Sequence, residues 1–274
     1  MNIQTITKIL IDAGIEPNEA KYEIKMLLEH CFKYTDNDWA RGIELTKDQL
    51  SVLREKAMQR AEQRIPIQYL IGEAWFMGEY YKVTPDVLIP RDETEILVSE
   101  AINIIKENHL STVLDIGTGS GCIACTIAKQ TNATVLGVDI SSDALRVALD
   151  NVTRLGINNR AVFRKSDLFE KIREEEKFDI IISNPPYIPE GTSLEREVEH
   201  EPSIALFAKE NGLEIYRRII ECAPEYLNPK GYLMFEIGID EAQAISNMLS
   251  KNFTNIKVIK DLAKIERVIV SQLK

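Results

Sequence analysis

The chain has 274 residues, 45% hydrophobic and 28% charged, which is ordinary for a globular protein and enough to bury one large core or two modest ones. No apolar run approaches the roughly 18 residues of a membrane span, and a formal charge of −10 argues against a protein held to nucleic acid mainly through phosphates. The N-terminus, "MNIQTITKILIDAGIEP", has helical periodicity without the basic flank or cleavage pattern of a signal peptide, so the expected compartment is the cytoplasm.

Residues 1–72 are expected to form a helical domain, with helices over 3–13, over 19–33 after the start signal Pro17-Asn18, and over 46–64 behind the N-cap candidate Thr46. Nothing there has a catalytic pattern, and the segment reads as a module for docking a partner. Residues 73–90, "EAWFMGEYYKVTPDVLIP", place aromatic and β-branched residues on either side of Gly78 and Glu79, as in a β-hairpin linker. "PRDETEILVSEAINIIKE" then returns to helix, with Asp92 and Thr94 as caps, and opens a catalytic domain over 91–274.

From residue 111 strands and helices alternate. "TVLDIG", "TVLGVDI", "AVFRKSD", "FDIIISN" and "GYLMFEIG" read as buried strands separated by helices, and "NIKVIK" and "ERVIVSQ" as a closing pair. The fold class is therefore α/β, a Rossmann-like, mostly parallel sheet of seven strands covered by helices. Of the four cysteines, Cys122 and Cys125 form a C-x-x-C, but no second pair completes a zinc set. Inside "CIACTIAK" they read as small packing residues, and no metal is expected. Between Glu190 and Glu201 five glutamates (Glu190, Glu195, Glu197, Glu199, Glu201) stand against Arg196. They form either a solvated loop or an acidic rim that would repel phosphates and suit a neutral or basic protein.

"VLDIGTGSGCIA" follows the first of these strands and opens a helix, as a ligand-binding turn would. Asp115, Gly117, Thr118, Gly119, Ser120 and Gly121 are its cofactor candidates. Gly119, Gly121 and Ala124 also satisfy the loose pattern G-x-G-x-x-A, so the glycines alone leave open a nicotinamide or an S-adenosylmethionine cofactor. Asp139, with Ile140 after it, ends the next strand. Its carboxylate can accept both hydroxyls of a ribose or cap the helix near Ser141, and the adjacent glycine turn favours the ribose. Asp167 is a candidate for an adenine amino group, and Leu168 and Phe169 either pack on the base or belong to the core.

Asn184, Pro185, Pro186 and Tyr187 leave the carboxyl end of the fourth strand as N-P-P-Y, which resembles the signature of methyltransferases acting on planar nitrogens. Such a nitrogen is a weak nucleophile because its lone pair is delocalised. The Asn184 oxygen and the Pro185 carbonyl can accept its two N–H groups and aim it, while Tyr187 offers a ring to stack on. The motif is shared by adenine-N6 methyltransferases of DNA and RNA and by protein glutamine methyltransferases. "RIPIQYLIGEAWFMGEYYKVTPDVLIPRDETE", "DIGTGSGCIA", "GVDIS", "SNPPYIP", "NGLEIYRRII", "FEIG" and "DLAKIERVI" together resemble the HemK/PrmC family, the release factor glutamine methyltransferases. That resemblance implies methyl transfer from S-adenosyl-L-methionine to the glutamine amide in the Gly-Gly-Gln loop of class I peptide chain release factors. It implies a protein partner, with no direct nucleic acid and no membrane. The glutamine amide would be bound by Asn184 and Pro185 beside Pro186, with Tyr187 stacked on it. Asp92 stands where the family usually has the middle proline of P-R-P-E-T-E, whereas Arg91 and Glu95 match.

Overall fold

The computed structural model describes residues 2–274, which divide into two compact units. One contains the chain up to Glu73 together with Leu194–His200. The other contains Ala74–Ser193 and Glu201–Lys274.

The first unit is helical: α1 (Ile3–Asp12), α2 (Pro17–Phe32), α3 (Asp36–Arg41), α4 (Lys47–Gln63) and α5 (Ile67–Ile71). Its helix starts follow local chemistry. Pro17 occupies the first turn of α2, where Glu16 accepts the Asn18 N–H, and Thr46 forms a capping box with Gln49 at α4. The short helices α3 and α5 are additional to the three expected from periodicity, being too brief to show it. Ile6, Leu10, Ile24, Leu27, Leu28 and Leu53 form the core of the unit. Beside them Arg60, only 4% exposed, bonds the buried Glu23 through Nε at 2.9 Å and Glu197 through Nη1 at 2.9 Å. Glu197, expected on either a solvated loop or an acidic rim, instead anchors the 194–200 segment.

Next in the chain come the hairpin β1 (Glu73–Phe76) and β2 (Glu79–Lys82), which from Ala74 onward belongs to the second unit, and α6 (Asp92–Asn108). Then come β3 (Thr112–Ile116), α7 (Cys122–Gln130), β4 (Thr134–Asp139), α8 (Ser142–Arg154), β5 (Ala161–Lys165) and β6 (Phe178–Ser183). A two-residue pair, β7 (Ile188–Pro189) and β8 (Phe207–Ala208), precedes α9 (Glu214–Tyr226), β9 (Leu227–Glu236), α10 (Ala242–Leu249), β10 (Phe253–Lys260) and β11 (Glu266–Leu273). The main sheet runs β10-β11-β9-β6-β3-β4-β5, parallel except for β11, which is antiparallel to both neighbours. Apolar side chains bury both of its faces, Ile180, Ile182 and Val113 on one and Ile181, Leu114 and Phe235 on the other.

One expected helix is absent: residues 166–177 connect β5 to β6 through turns. Of its apolar side chains that segment buries only Phe169 and Ile172, and its polar side chains bond locally instead. Ser166 Oγ accepts the Lys171 N–H at 3.0 Å, and Glu176 accepts the Arg173 N–H at 2.8 Å. Cys122 and Cys125 are buried in α7.

Arg60→Met leaves Glu23 buried without its cation. It is expected to destabilise the first unit by about 3 kcal/mol, part of which Glu23→Leu restores in the double variant. Chemical denaturation checks this, and equal stability of Arg60→Met and the parent would contradict it.

Candidate active site

Strand register builds the site. Ile116 of β3 stands opposite Ser183 of β6 and Val138 of β4, and Ser183 stands opposite Phe235 of β9. The next residue along each strand is therefore Glu236, Asn184, Gly117 and Asp139, forming a row across the carboxyl edge. The chain order reverses beside β3, the point at which open α/β sheets leave a crevice. A cavity of about 480 Å³ opens there, a size suited to a small molecule.

Eleven of the expected residues line this cavity. Gly117, Thr118, Gly119 and Ser120 come from the turn after β3, and Asp139 and Ile140 from the end of β4. Asp167 and Leu168 follow β5, and Asn184, Pro185 and Pro186 follow β6. A methyl group added at Gly117 would meet nothing within 4 Å, and at Gly119 only the Gly117 oxygen at 4.0 Å, so the turn leaves open a cradle that a Cβ would occupy. Asp139 accepts the Gly119 N–H at 2.9 Å on one oxygen and the Ser141 N–H at 2.8 Å on the other. It therefore braces the turn, whereas the helix is capped by Ser141, whose Oγ accepts the Ala144 N–H at 3.1 Å, and each Asp139 oxygen keeps a second lone pair for a hydroxyl donor. Asp167 accepts from Arg218 at 2.8 Å, and Leu168 holds a left-handed backbone (φ 47°) at the cavity wall.

Four expected residues stand behind the wall. Asp115 is fully buried: its Oδ2 accepts the Thr118 hydroxyl at 2.6 Å, and its Oδ1 has no partner among the described residues. Burial, reinforced by the Asp139 charge, pushes its carboxyl up to about 7. Gly121 packs α7 on the sheet, where a Cβ would stand 3.0 Å from Ala148 Cβ and Phe163 Cζ. Phe169 stacks on Tyr226, 4.8 Å between centroids, which is the core alternative for that residue. Tyr187 does not line the cavity either. A Cβ at Gly212 would come within 2.2 Å of its carbonyl oxygen, and one at Gly238 within 3.1 Å of its ring, so two glycines let "NGLEIY" and "FEIG" grip it.

Asn184, half-buried, donates its side-chain NH₂ to Thr94 Oγ1 at 3.2 Å, and its Oδ1 takes no protein hydrogen bond among the described residues. Thr94 in turn donates its hydroxyl to Glu236 Oε2 at 2.5 Å. Thr94 is expected as a helix cap. Instead Arg91 is the N-cap residue of α6, while Thr94 lies within the first turn of the helix and is 3% exposed. Burial pushes Glu236 up to about 7 against the opposing Thr94 bond. Its only sequence signal is a carboxylate inside the apolar strand "LMFEIG". Glu201, expected on the acidic rim, is likewise buried, pairs with Arg91 and accepts the Ile89 N–H at 3.1 Å. Asp92 is the first residue of α6, the position at which proline and an acidic residue both suit a helix start.

Residues 107–272 match a family model described as a methyltransferase domain, and residues 3–72 match one described as the PrmC N-terminal domain. Release factor glutamine methyltransferase of Geobacter sulfurreducens is 43% identical over 230 residues, covering 82% of this chain and 79% of the relative. The enzyme of the same name from Streptococcus pneumoniae is 39% identical and covers 95% and 93%. Among solved structures, a methyltransferase from Pyrococcus furiosus shares the fold at TM-score 0.53 and 19% identity, covering 83% of this chain and 98% of its own. The T. thermophilus 16S rRNA N2 G1207 methyltransferase, in complex with AdoMet and guanosine, does so at TM-score 0.56 and 19% identity, covering 74% and 50%.

Two outcomes are expected. Asp115, Glu236 and Glu241, the last of which accepts the Gly238 N–H at 2.8 Å after β9, are all raised to about 7 by burial, so the folded state retains protons that the unfolded chain has released. The stability they contribute is lost as pH rises from the ordinary carboxylate range through about 7. The ligand-free protein should therefore melt at a higher temperature at pH 6 than at pH 8, and the reverse order in a thermal scan would contradict this. Asp92→Pro, which places the family residue at the first position of α6 behind an extended Arg91 (φ −107°, ψ 147°), should leave thermal stability within about 1 kcal/mol. A larger loss would show that the position carries a contact beyond the helix start.

Proposed function

The chain belongs to the release factor glutamine methyltransferase family, and from that premise we propose its reaction in residue terms: transfer of the methyl group of S-adenosyl-L-methionine to the side-chain amide nitrogen of the Gly-Gly-Gln glutamine of class I peptide chain release factors. The observation that carries this reading is Asn184, held at the cavity edge with its NH₂ engaged by Thr94 and its oxygen unused.

The residues around the cavity fit the cofactor. Asp139 would take the ribose hydroxyls, Gly117 and Gly119 would let the backbone approach the amino-acid part, and Asp167 with Leu168 would meet the adenine. Bound there, S-adenosyl-L-methionine supplies an electrophilic methyl group on a sulfonium and leaves as S-adenosyl-L-homocysteine. The amide nitrogen has little nucleophilicity, and a general base would gain little because a neutral amide is hard to deprotonate. Asn184 Oδ1 and the Pro185 carbonyl accept its two N–H groups, fix its orientation and stabilise the positive charge that grows on it. Pro185 and Pro186 keep those acceptors in place through their fixed φ. Stacking on the substrate remains the role proposed for Tyr187, from a position gripped by Gly212 and Gly238.

A protein substrate suits the surface better than a duplex. Glu190, Glu195 and Glu199 are exposed, and the net charge of −10 opposes a duplex held mainly through its phosphates. Among the described residues no helix is long and apolar enough to cross a membrane. We place the protein in the cytoplasm with the translation machinery.

Incubation with labelled S-adenosyl-L-methionine and a class I release factor should label the Gly-Gly-Gln peptide. Asn184→Ala should lower kcat by about 10²–10³-fold with S-adenosyl-L-homocysteine affinity nearly unchanged, as expected when transition-state placement alone is lost. Label on DNA or RNA instead of that peptide would overturn the reading in favour of an adenine-N6 methyltransferase.

A further inference from the structure

Asn184 can serve the amide only with its oxygen toward the cavity. A carboxamide has two ends of nearly equal shape, so something must select which one faces inward. The polar side chain it bonds at 3.2 Å is the Thr94 hydroxyl, which has one proton to give. Thr94 Oγ1 lies 2.5 Å from Glu236 Oε2, and both residues are 3% exposed. Once Glu236 gives up the proton that burial holds to about pH 7, its carboxylate only accepts, so it takes the single Thr94 proton. Thr94 then has only lone pairs left for Asn184, and only the NH₂ end can bond to a lone pair. A buried carboxylate is costly, and Glu236 forms no ion pair among the described residues. The Tyr216 hydroxyl donates to its backbone carbonyl at 2.9 Å, holding the end of β9 where the register puts Glu236 beside Asn184.

We propose that Glu236 and Thr94 are positioning residues forming a directional hydrogen-bond relay that locks the Asn184 amide with its oxygen facing the substrate. The inference rests on the glutamine methyltransferase reading and adds to it two residues that touch no reacting atom. It accounts for a threonine buried inside the first turn of α6 and for a glutamate at the end of an otherwise apolar strand.

Three variants test it. Thr94→Val keeps the shape and removes the relay, Thr94→Ser keeps the hydroxyl, and Glu236→Gln replaces the acceptor with a group that can donate to Thr94 and so turn the Asn184 amide round. Expected are a fall of about 10–100-fold in kcat for Thr94→Val and Glu236→Gln, with S-adenosyl-L-homocysteine affinity and release factor KM within about threefold. Thr94→Ser should stay within about threefold of the parent. The Thr94→Val/Glu236→Gln double variant should be no slower than the slower single one, because the path has one route. Multiplying effects in the double variant, an equal loss in Thr94→Ser and Thr94→Val, or a parallel loss of cofactor affinity would overturn the relay.

A readout without turnover separates this from the underlying reaction. The Asn184 side-chain NH₂ resonances of the free protein, identified by their absence in Asn184→Asp, should shift in Thr94→Val and Glu236→Gln and stay nearly in place in Thr94→Ser. Unmoved resonances in the first two overturn the relay. If the parent binds S-adenosyl-L-homocysteine but labels no Gly-Gly-Gln peptide, the functional reading falls, and these resonances still decide the relay.

Discussion

The pairing register of β6 with its two neighbours is the constraint on which the site depends. Ser183 stands opposite Ile116 on one side and Phe235 on the other, and its hydroxyl donates to the Ile116 carbonyl at 2.7 Å. Because both faces of the sheet are apolar, the polar ends of β6 pin the register: Asp179 accepts the Ser111 and Thr112 N–H groups at 2.8 and 3.0 Å at one end, and Ser183 bonds Ile116 at the other, and a shift by one residue would break both. The register in turn sets Asn184 beside the glycine turn on one flank and Glu236 on the other. Chemistry at the edge is thus positioned by hydrogen bonds at both ends of a central strand.

Around that edge the second unit concentrates carboxyl groups that water does not reach. Asp115 sits under the turn and Glu236 behind Asn184, and each is pushed up to about 7 by burial. Neither touches the cavity, and each acts on a residue that does, Asp115 through Thr118 and Glu236 through Thr94. In a low-dielectric surrounding such bonds are strong and directional, which makes a fixed arrangement of acceptors possible at a site meant to receive two weak N–H donors. The glycines complete the arrangement by subtraction. Gly117 and Gly119 leave room for a ligand, whereas Gly121 and Gly212 leave room for the protein's own backbone and side chains.

The acidic segment after the N-P-P-Y motif divides its charges between structure and surface. Glu197 closes a buried cluster with Arg60 and Glu23 in the helical unit, and Glu201 pairs with Arg91 near the cavity in the other unit. Glu190, Glu195 and Glu199 stay exposed. A run of like charges therefore serves two purposes, distinguishable only by where the partner arginines fall.

The α/β class, seven strands in chain order, the glycine turn, Asp139 and Asn184 were legible in the sequence, because periodicity, turn chemistry and motif spacing are local properties. Eleven residues expected at the site do line the cavity for the same reason. What local pattern could not decide were contacts between segments distant in the chain. Thr94 read as a helix cap, and only its approach to Glu236, 142 positions away, gives its hydroxyl another role. The segment between "AVFRKSD" and "FDIIISN" read as helical, yet Ser166 and Glu176 take backbone N–H groups there in turns, and the grip of Gly212 and Gly238 on Tyr187 joins segments that no local pattern connects. Sequence alone determined which residues stand at strand ends. Tertiary packing decided which of them face the cavity and which hold the others, since hydrogen-bond direction and burial depend on neighbours that only the folded chain brings together.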